Sequence, residues 1–584
     1  MLIVPTLDPF YYLHNFESAV AWVNQHSEDL LSVEERVFLA CFASLPHMSR
    51  ALLVRMIMRK GPLFRSSRLD YPEIGDISQA ARPLIEHALI DEDPVLTAAE
   101  LFKLHSMKEL RGIVGPALPC AEQRKQDLLA TVFLAHPESK TYAQWLRPVD
   151  GTIPPASRGY IPTDHIHIDR IRTDRVYRLL VGELCDRIRL IFFGNAHQTW
   201  AEFVITDLGL LRYEHVPMAP GSRAFRHRDD VDVYLGLQTV RQTLRDGPAC
   251  AALPDDAPLC GLLDAALRID TDNPWLSQRR DKILFYLGQE SERRRDWDTA
   301  RQAYAACAWP GARHRHVRVL ERQGESQSAL DLALAISAAP ENEAESQRIQ
   351  RMLPRLRRLC RQTVKRSSGR ASAPPIPASL MTLPRDDKQS RVEQAVRKHL
   401  HQEHSPVYYV ENALINSLFG LLCWEAIFAP LPGAFFHPFQ RGPADLLAPD
   451  FSKRRAVQFS RCLRQLDDGS YRNTIQDRFH DKQGIQSPFV FWDIISAPLL
   501  SLALDCLPAQ HLKLWFARLL DDVAANRSGL PDLIRFFPHE RRYDMIEVKG
   551  PGDRLQDNQT RWLHFFLSHR MPVSVCHVQW REQP

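Results

Sequence analysis

Between about Phe10 and Ile90, apolar residues recur three and four positions apart, as at Val33, Val37, Ala40 and Cys41, and this spacing predicts amphipathic helices. Thr97 is the expected N-cap of a further short helix, with Glu100 three residues on as its capping-box partner. Met107 to Leu110 and Lys125 to Leu129 continue the helical pattern across a loop. From about Asp164 to Pro217 the period drops to two: His165-Ile166-His167-Ile168-Asp169 alternates, and so does Arg187-Ile188-Arg189-Leu190 before the run Ile191-Phe192-Phe193. Strands are predicted there. Helical hairpins return from about Trp275 to Arg358. Glu292-Arg293-Arg294-Arg295-Asp296-Trp297, leading to Ala300 and Tyr304, is echoed by Glu321-Arg322-Gln323-Gly324-Glu325-Ser326, leading to Ala329 and Ala333, at an offset of 29 residues. The Ser-, Gly- and Pro-rich stretch from Arg366 to Pro377 reads as a linker.

Beyond it, two extended runs lie close together near the C-terminus. Asp532 to Phe537 follows Gly529-Leu530-Pro531, and Tyr543 to Lys549 follows a polar connection from Pro538 to Arg542. They read as a β-hairpin. Glu547 and Lys549 are two apart and share a strand face, while Ile546 and Val548 point into the core; Asp532 opens the neighbouring strand and reaches the same face. Gln556 to Arg570 reads helical, with Gln559, Trp562, Leu563 and Phe566 in one stripe, so Gln559 is expected on the face packed against the sheet. Val573 to Val578 supplies a closing strand.

Composition narrows the class. At 584 residues and 67.1 kDa the chain is long enough for three or four domains; 45% hydrophobic and 25% charged residues are globular values. A net charge of +4 permits a nucleic-acid partner only through local clustering. The eleven cysteines form no Cys-x-x-Cys pair, which points to reduced thiols. No secretory signal is read at the N-terminus, and the apolar run around Leu418 to Phe428 is too short and too polar to span a bilayer. Basic residues Arg55, Arg59 and Lys60 interleave with apolar ones; composition alone favours a solvated helix face over a phosphate contact. His165 and His167 would share a strand face as two metal ligands could, but no third ligand is visible at a sensible spacing.

The hairpin carries the chemistry. Magnesium and manganese are hard ions that favour carboxylate oxygens. A lysine two residues from a ligand can orient water or stabilise charge developing on phosphorus. Asp532-x₁₄-Glu547-x-Lys549 has the form of the PD-(D/E)xK nuclease motif. An exposed strand pair after a Pro-Asp turn is the alternative for three bare residues, and Gln559 at the head of a buried stripe weighs against it.

Several resemblances follow from the motifs. The helix pair around Thr97 to Leu129, with Lys125 opening its second member, resembles a SAP module, and the hairpins resemble a tetratricopeptide array, whose usual period is about 34. Gly529-Leu530-Pro531-Asp532-Leu533, Ile546-Glu547-Val548-Lys549-Gly550-Pro551-Gly552-Asp553-Arg554-Leu555, Asn558-Gln559 and Trp562 resemble the VRR-NUC domain. Glu411 to Leu422, Trp424-Glu425 and Gly433-Ala434-Phe435, with Tyr11 to Phe16, Val54-Arg55 and Arg59-Lys60, resemble the Fanconi-associated nuclease family.

The resemblance implies a mainly α multidomain chain with a C-terminal α/β PD-(D/E)xK nuclease domain. Expected parts are an N-terminal helical DNA-binding region at 1–90, a SAP-like domain with a strand-containing part at 91–260, and tetratricopeptide-like repeats at 261–365. A linker at 366–384 and the VRR-NUC domain at 385–584 follow. It implies Glu411, Asp532 and Glu547 as ligands of Mg2+ or Mn2+ with the Val548 carbonyl, Lys549 and Gln559 as catalytic groups, and Asp553 and Arg554 as supporting positions. Without the resemblance, Glu411 reads as a carboxylate early in a helix, complementing the macrodipole. Expected DNA contacts are Arg55, Arg59, Lys60, Lys108 and Lys125.

The implied activity is 5′-flap incision and 5′-to-3′ exonuclease action on branched DNA, with interstrand-crosslink unhooking. Flap, nicked and overhang duplexes are the expected substrates. The helical repeats could take a protein partner, and no membrane partner is expected. The missing ubiquitin-binding finger of vertebrate members points to a bacterial protein acting in the cytoplasm at the nucleoid; a eukaryotic one would be nuclear. A Holliday-junction resolvase-like enzyme and a DNA-binding scaffold with an inactive nuclease fold are the alternatives; the intact Asp532, Glu547 and Lys549 argue against the second.

Overall fold

The computed structural model describes residues 8–114, 125–135, 137–146, 174–202, 206, 211–218, 222–246, 259–361, 375–384 and 391–581. His165 and His167 lie outside them. The chain divides into two compact units, residues 1–210 and 211–584.

The first unit opens with helices Tyr11–Ser27, Val33–Ser44 and His47–Ile57. The predicted stripe is inverted on the second of these. Val33 and Val37 are 63% exposed, and the inward face is Glu35, Phe38, Leu39 and Phe42. The helix is phased by its cap: Ser32 and Glu35 form a capping box, and Glu35 is buried against Arg187 at 2.8 Å. Strands β1 (Leu63–Arg65) and β2 (Ile90–Glu92) form a small sheet whose central member, introduced below, comes from much later in the chain. Strand β3 (Val95–Leu96) leads into the SAP-like helices Ala98–Leu104, Met107–Val114 and Lys125–Ala135, and pairs with β4 (Lys140–Thr141). The Thr97 capping box forms as predicted: Thr97 Oγ1 accepts from the Glu100 N–H at 3.2 Å, and the Glu100 carboxylate accepts from the Thr97 N–H at 2.9 Å.

Two expectations fail in this unit. Strand β5 (Val176–Leu179) is the central strand between β1 and β2, so it completes the N-terminal region rather than the SAP-like one. Arg187 to Phe193 is not a strand but part of the helix Gly182–Phe193. Four consecutive apolar residues end that segment; on a helix, Cys185, Ile188 and Phe192 fall on one buried side, and Gly194 ends the helix in a left-handed cap. The 91–260 segment is therefore shared out. Its last described helix, Arg228–Asp246, joins the second unit.

In that unit, helices Pro274–Arg294, Trp297–Ala305, Ala312–Arg322, Ser326–Ala338 and Glu343–Leu359 pack as successive hairpins. The repeated motif marks equivalent turns, with Arg295 and Gly324 both in the left-handed region. Ala300, Tyr304, Ala329 and Ala333 are buried. Five arginines of this array are neutralised internally: Arg293 and Arg294 pair with Glu290, Arg315 and Arg318 with Glu292, and Arg313 with Glu345.

The nuclease sheet has five strands: β6 (Ala378–Pro384), β7 (Val407–Tyr409), β8 (Leu533–Phe537), β9 (Arg542–Lys549) and β10 (Val573–Arg581), in the order β6-β10-β9-β8-β7. The hairpin β8–β9 is antiparallel; β9, β10 and β6 run parallel. β6 corrects the linker boundary. The sheet begins inside the 366–384 segment, where Ala378 pairs with Val575, and Pro377 accepts a hydrogen bond from the Val575 N–H at 2.8 Å. Leu533, Ile546 and Val548 pack on one face with Val396 of helix Val392–Leu400. Ile534, Phe536, Tyr543 and Met545 pack on the other, with Trp562 and Phe566 of helix Asp557–Ser568 and a large helical block that includes Leu414–Leu422. The described residues are mainly helical with one mixed sheet in the C-terminal domain. Among them no helix is long and apolar enough to cross a membrane, and the nine described cysteines are free thiols.

Candidate metal-dependent nuclease site

The alternation along β8 and β9 sets the site. Glu547 and Lys549 share the parity of Tyr543 and Met545, and Asp532 that of Ile534 and Phe536, so all three turn to the face covered by helix Asp557–Ser568. The register pairs Leu533 with Ile546, and one step further places Asp532 opposite Glu547. Asp532 is 6% exposed, Glu547 0% and Lys549 8%.

Each carboxylate is held differently. Asp532 Oδ2 accepts the Val548 N–H at 2.8 Å. Lys549 Nζ lies 2.8 Å from Glu547 Oε1, close enough for an ion pair but without the alignment of a directed hydrogen bond; Glu547 Oε2 is also buried without a hydrogen bond. Burial raises Asp532 to a pKa of about 6, partly countered by the Val548 N–H, with the Glu411 charge adding to the rise. Burial and then the Asp532 charge raise Glu547 to about 7, against the pull of Lys549. Buried, mutually repelling carboxylates with orphaned oxygens are a donor set that a hard divalent cation would satisfy.

Glu411 lies just outside this pair. It is not in a helix, as its sequence context suggested: it sits in an exposed turn ahead of helix Leu414–Leu422. The turn is pinned to the hairpin, because Val410 N donates to the Asp532 carbonyl at 2.8 Å and Leu530 N to Asn412 Oδ1 at 3.1 Å. Asn412 takes a left-handed φ of 52° there. The Tyr409 hydroxyl donates to Glu411 Oε2. Among the described residues no three His, Cys, Asp or Glu side chains stand close enough to enclose an ion, and Glu411 turned onto Tyr409 accords with that. Sequence reasoning passed over Tyr409, Asn412 and Glu393, whose charge also bears on Asp532. The alternation Val407-Tyr408-Tyr409 placed a hydroxyl two residues before Glu411, the one available signal.

Gln559 is half-buried and accepts the Gln556 N–H at 2.9 Å in a capping box, so its position at the head of the stripe is explained by helix initiation. Asp553 Oδ2 accepts the Gly550 N–H at 3.0 Å and shapes the turn after β9; Arg554 is exposed. The expected DNA contacts divide. Arg55 donates to Glu73 at 3.0 Å and stacks 3.8 Å over Tyr12, which ties it into the fold. Arg59 donates to the Arg68 carbonyl at 3.1 Å, and Lys125 to that of His105 at 2.8 Å. Lys60 and Lys108 are exposed.

Comparison with known proteins agrees with this geometry. Residues 10–91 match the model of the FAN1 HTH domain, 95–145 the Fanconi anemia-associated nuclease SAP domain, and 466–580 the VRR-NUC domain. A Fanconi-associated nuclease 1 homolog of Pseudomonas aeruginosa is 48% identical over 98% of this chain and 96% of its own length. The homolog of Oryza sativa is 26% identical over 97% of this chain and 62% of its own. A crystal structure of paFAN1 bound to 2nt 5′-flap DNA with a gap superposes with a TM-score of 0.89 at 47% identity, covering 99% of this chain and 100% of that one. Nucleases with the VRR-NUC domain generally depend on a divalent metal. On these matches, with a buried Asp532–Glu547–Lys549 hairpin in place, the chain belongs to the Fanconi-associated nuclease family and is a nuclease.

Proposed function

We propose that this nuclease cuts branched DNA at 5′ flaps and degrades it 5′ to 3′ from nicked or overhanging ends, in the repair of interstrand crosslinks. The observation that carries the reading is the buried Glu547 carboxylate facing Asp532 beside the Lys549 ammonium. Related structures holding 5′-flap DNA support the choice of substrate.

Asp532, Glu547, Glu411 and the Val548 carbonyl would hold Mg2+ or Mn2+. A bound ion would polarise the scissile phosphate and acidify a water. The Val548 N–H fixes the orientation of the Asp532 carboxylate. Lys549 keeps its ammonium at Glu547, where it stabilises charge developing on the phosphoryl oxygens. Gln559 fixes the start of the helix that covers the site, and Asp553 and Arg554 shape the turn that precedes it. Arg59, Lys60, Lys108 and Lys125 are the proposed duplex contacts of the first unit. Arg55, already paired with Glu73, serves there by positioning. The domain plan is an N-terminal DNA-binding region, a SAP-like module, a helical array open to a protein partner, and the nuclease domain. The proposed setting is the bacterial cytoplasm, at the nucleoid.

The test is cleavage-site mapping on flap, nicked, overhang and four-way DNA with magnesium or manganese. Cuts near the flap junction that vanish in chelator are expected. Symmetric cuts confined to four-way junctions would favour a resolvase, and cleavage undiminished by chelator would overturn the metal site.

A further inference from the structure

Several arginines of the nuclease domain face a carboxylate: Arg454 and Arg455 pair with Asp445, Arg478 with Glu425, and Arg518 with Glu343. Arg441 and Arg527 do not. Arg441 Nε donates to the Ser487 carbonyl at 2.8 Å, and Arg527 Nη2 to the Pro488 carbonyl at 3.1 Å. Neither forms an ion pair with a carboxylate among the described residues. Two guanidiniums are thus drawn together on the carbonyls of adjacent residues, which carry only partial charge. Burial and the charge of Arg441 both lower the pKa of Arg527, consistent with an uncompensated pair.

The platform beneath them is rigid. Ser487 Oγ accepts from the N–H groups of Phe489 and Val490, each at 3.3 Å. Gly442, next to Arg441, lies so close that a Cβ there would meet the Pro488 ring at 2.8 Å. The pair also adjoins the cutting centre. Asn416 Nδ2 donates both to the Arg527 carbonyl at 2.9 Å and to the Asn412 carbonyl at 2.6 Å, beside Glu411. Arg527 precedes Asp532 on the same loop.

We propose that Arg441 and Arg527 form a phosphodiester subsite, gripping one backbone phosphate of the substrate strand next to the scissile position. The proposal rests on the nuclease reading above. Each guanidinium uses one donor on the protein and keeps others in its planar fork for an anionic oxygen, and the anion relieves the repulsion between the two. The contact is to the backbone, so it sets register without reading sequence.

The test is binding of the full chain to a 5′-flap duplex in chelator across a salt series, followed by a scan with single uncharged methylphosphonate linkages. Arg441→Gln and Arg527→Gln should each weaken binding roughly tenfold. Each should also lower the salt slope by about one, with Arg441→Lys retaining most of both. One methylphosphonate position should weaken binding by the wild type yet cost Arg441→Gln nothing further. An unchanged salt slope, or neutral linkages that cost wild type and variant alike at every position, would overturn the proposal. Arg441 is exposed, so its variant decides the matter even if Arg527→Gln fails to fold. A wild type that cuts no flap in either metal would overturn the nuclease reading instead, while binding in chelator still decides the arginine pair.

Discussion

Asp532 and Val548 are joined by a 2.8 Å hydrogen bond from the backbone N–H of one strand to the carboxylate at the head of the other, so the hairpin that carries the proposed catalytic groups also fixes how the Asp532 carboxylate points. The same bond partly offsets the burial of Asp532, yet its pKa still rises to about 6, and that of Glu547 to about 7.

This raised pair makes stability depend on pH. A carboxyl whose folded pKa exceeds its unfolded value favours folding most when protonated, and the advantage is lost as pH climbs through the folded value. The metal-free protein should therefore become less stable between about pH 4.5 and 7. Glu547→Gln should flatten that slope and raise the melting temperature at pH 8 by a few degrees, on the order of 1–2 kcal/mol. Cleavage should disappear in the same variant, and in Asp532→Ala, while flap binding persists. Thermal melts in chelator across pH, with parallel cleavage and binding assays, check both.

Tyr409 orients Glu411. Tyr409→Phe removes that hydroxyl and leaves the exposed carboxylate free to turn. Groups that orient a ligand typically change metal affinity about 10–100-fold when removed. The manganese concentration giving half-maximal cleavage should rise by about tenfold, with the rate at saturating metal little changed. An unaltered metal titration would exclude this role.

Gly529 combines a φ of +93° with close contact: a Cβ there would fall 2.8 Å from the Asn558 carbonyl carbon. Gly529→Ala must shift either the loop before Asp532 or the start of helix Asp557–Ser568. A loss of about 1–3 kcal/mol is expected, with cleavage reduced more than DNA binding. Denaturant melts and single-turnover rates would measure the two losses.

Arg518 joins the helical array to the nuclease domain. It is nearly buried, stacks 4.9 Å from Trp562 and 4.4 Å from Phe565, and donates to Glu343 at the start of the last array helix. Arg518→Ala should cost about 2–4 kcal/mol, because cation–π contact and a half-buried ion pair are lost together. Limited proteolysis should then release the array more readily than in the wild type.

The hairpin was legible because its period of two, its Pro-Asp start and its Glu-x-Lys finish are all local. Thr97 with Glu100 was legible for the same reason. Glu411 was not: its link to Asp532 runs through backbone bonds from Val410 and Leu530 that no spacing encodes. Periodicity also misled. Val33 and Val37 share a helix face with Ala40, but the cap and the larger Phe38 and Phe42 decide which face turns inward. In Gly182–Phe193 the alternation of Arg and Ile imitated a strand over a stretch too short to separate the two periods. β6 was missed, and β5, within the region read as strand-like, was not assigned to the N-terminal sheet, because their partners lie far away in the chain, where local pattern carries no information.

The parallel pairing of β6 with β10 carries a consequence for biosynthesis. β6 leaves the ribosome long before its partner strand exists, since the helical block and the β8–β9 hairpin lie between them in the chain. The sheet cannot close beside Glu547 until β10 has emerged, since β9 too pairs with β10 along one edge. The edge of the sheet beside Glu547 is thus completed only after the helical parts upstream of β10 have been made.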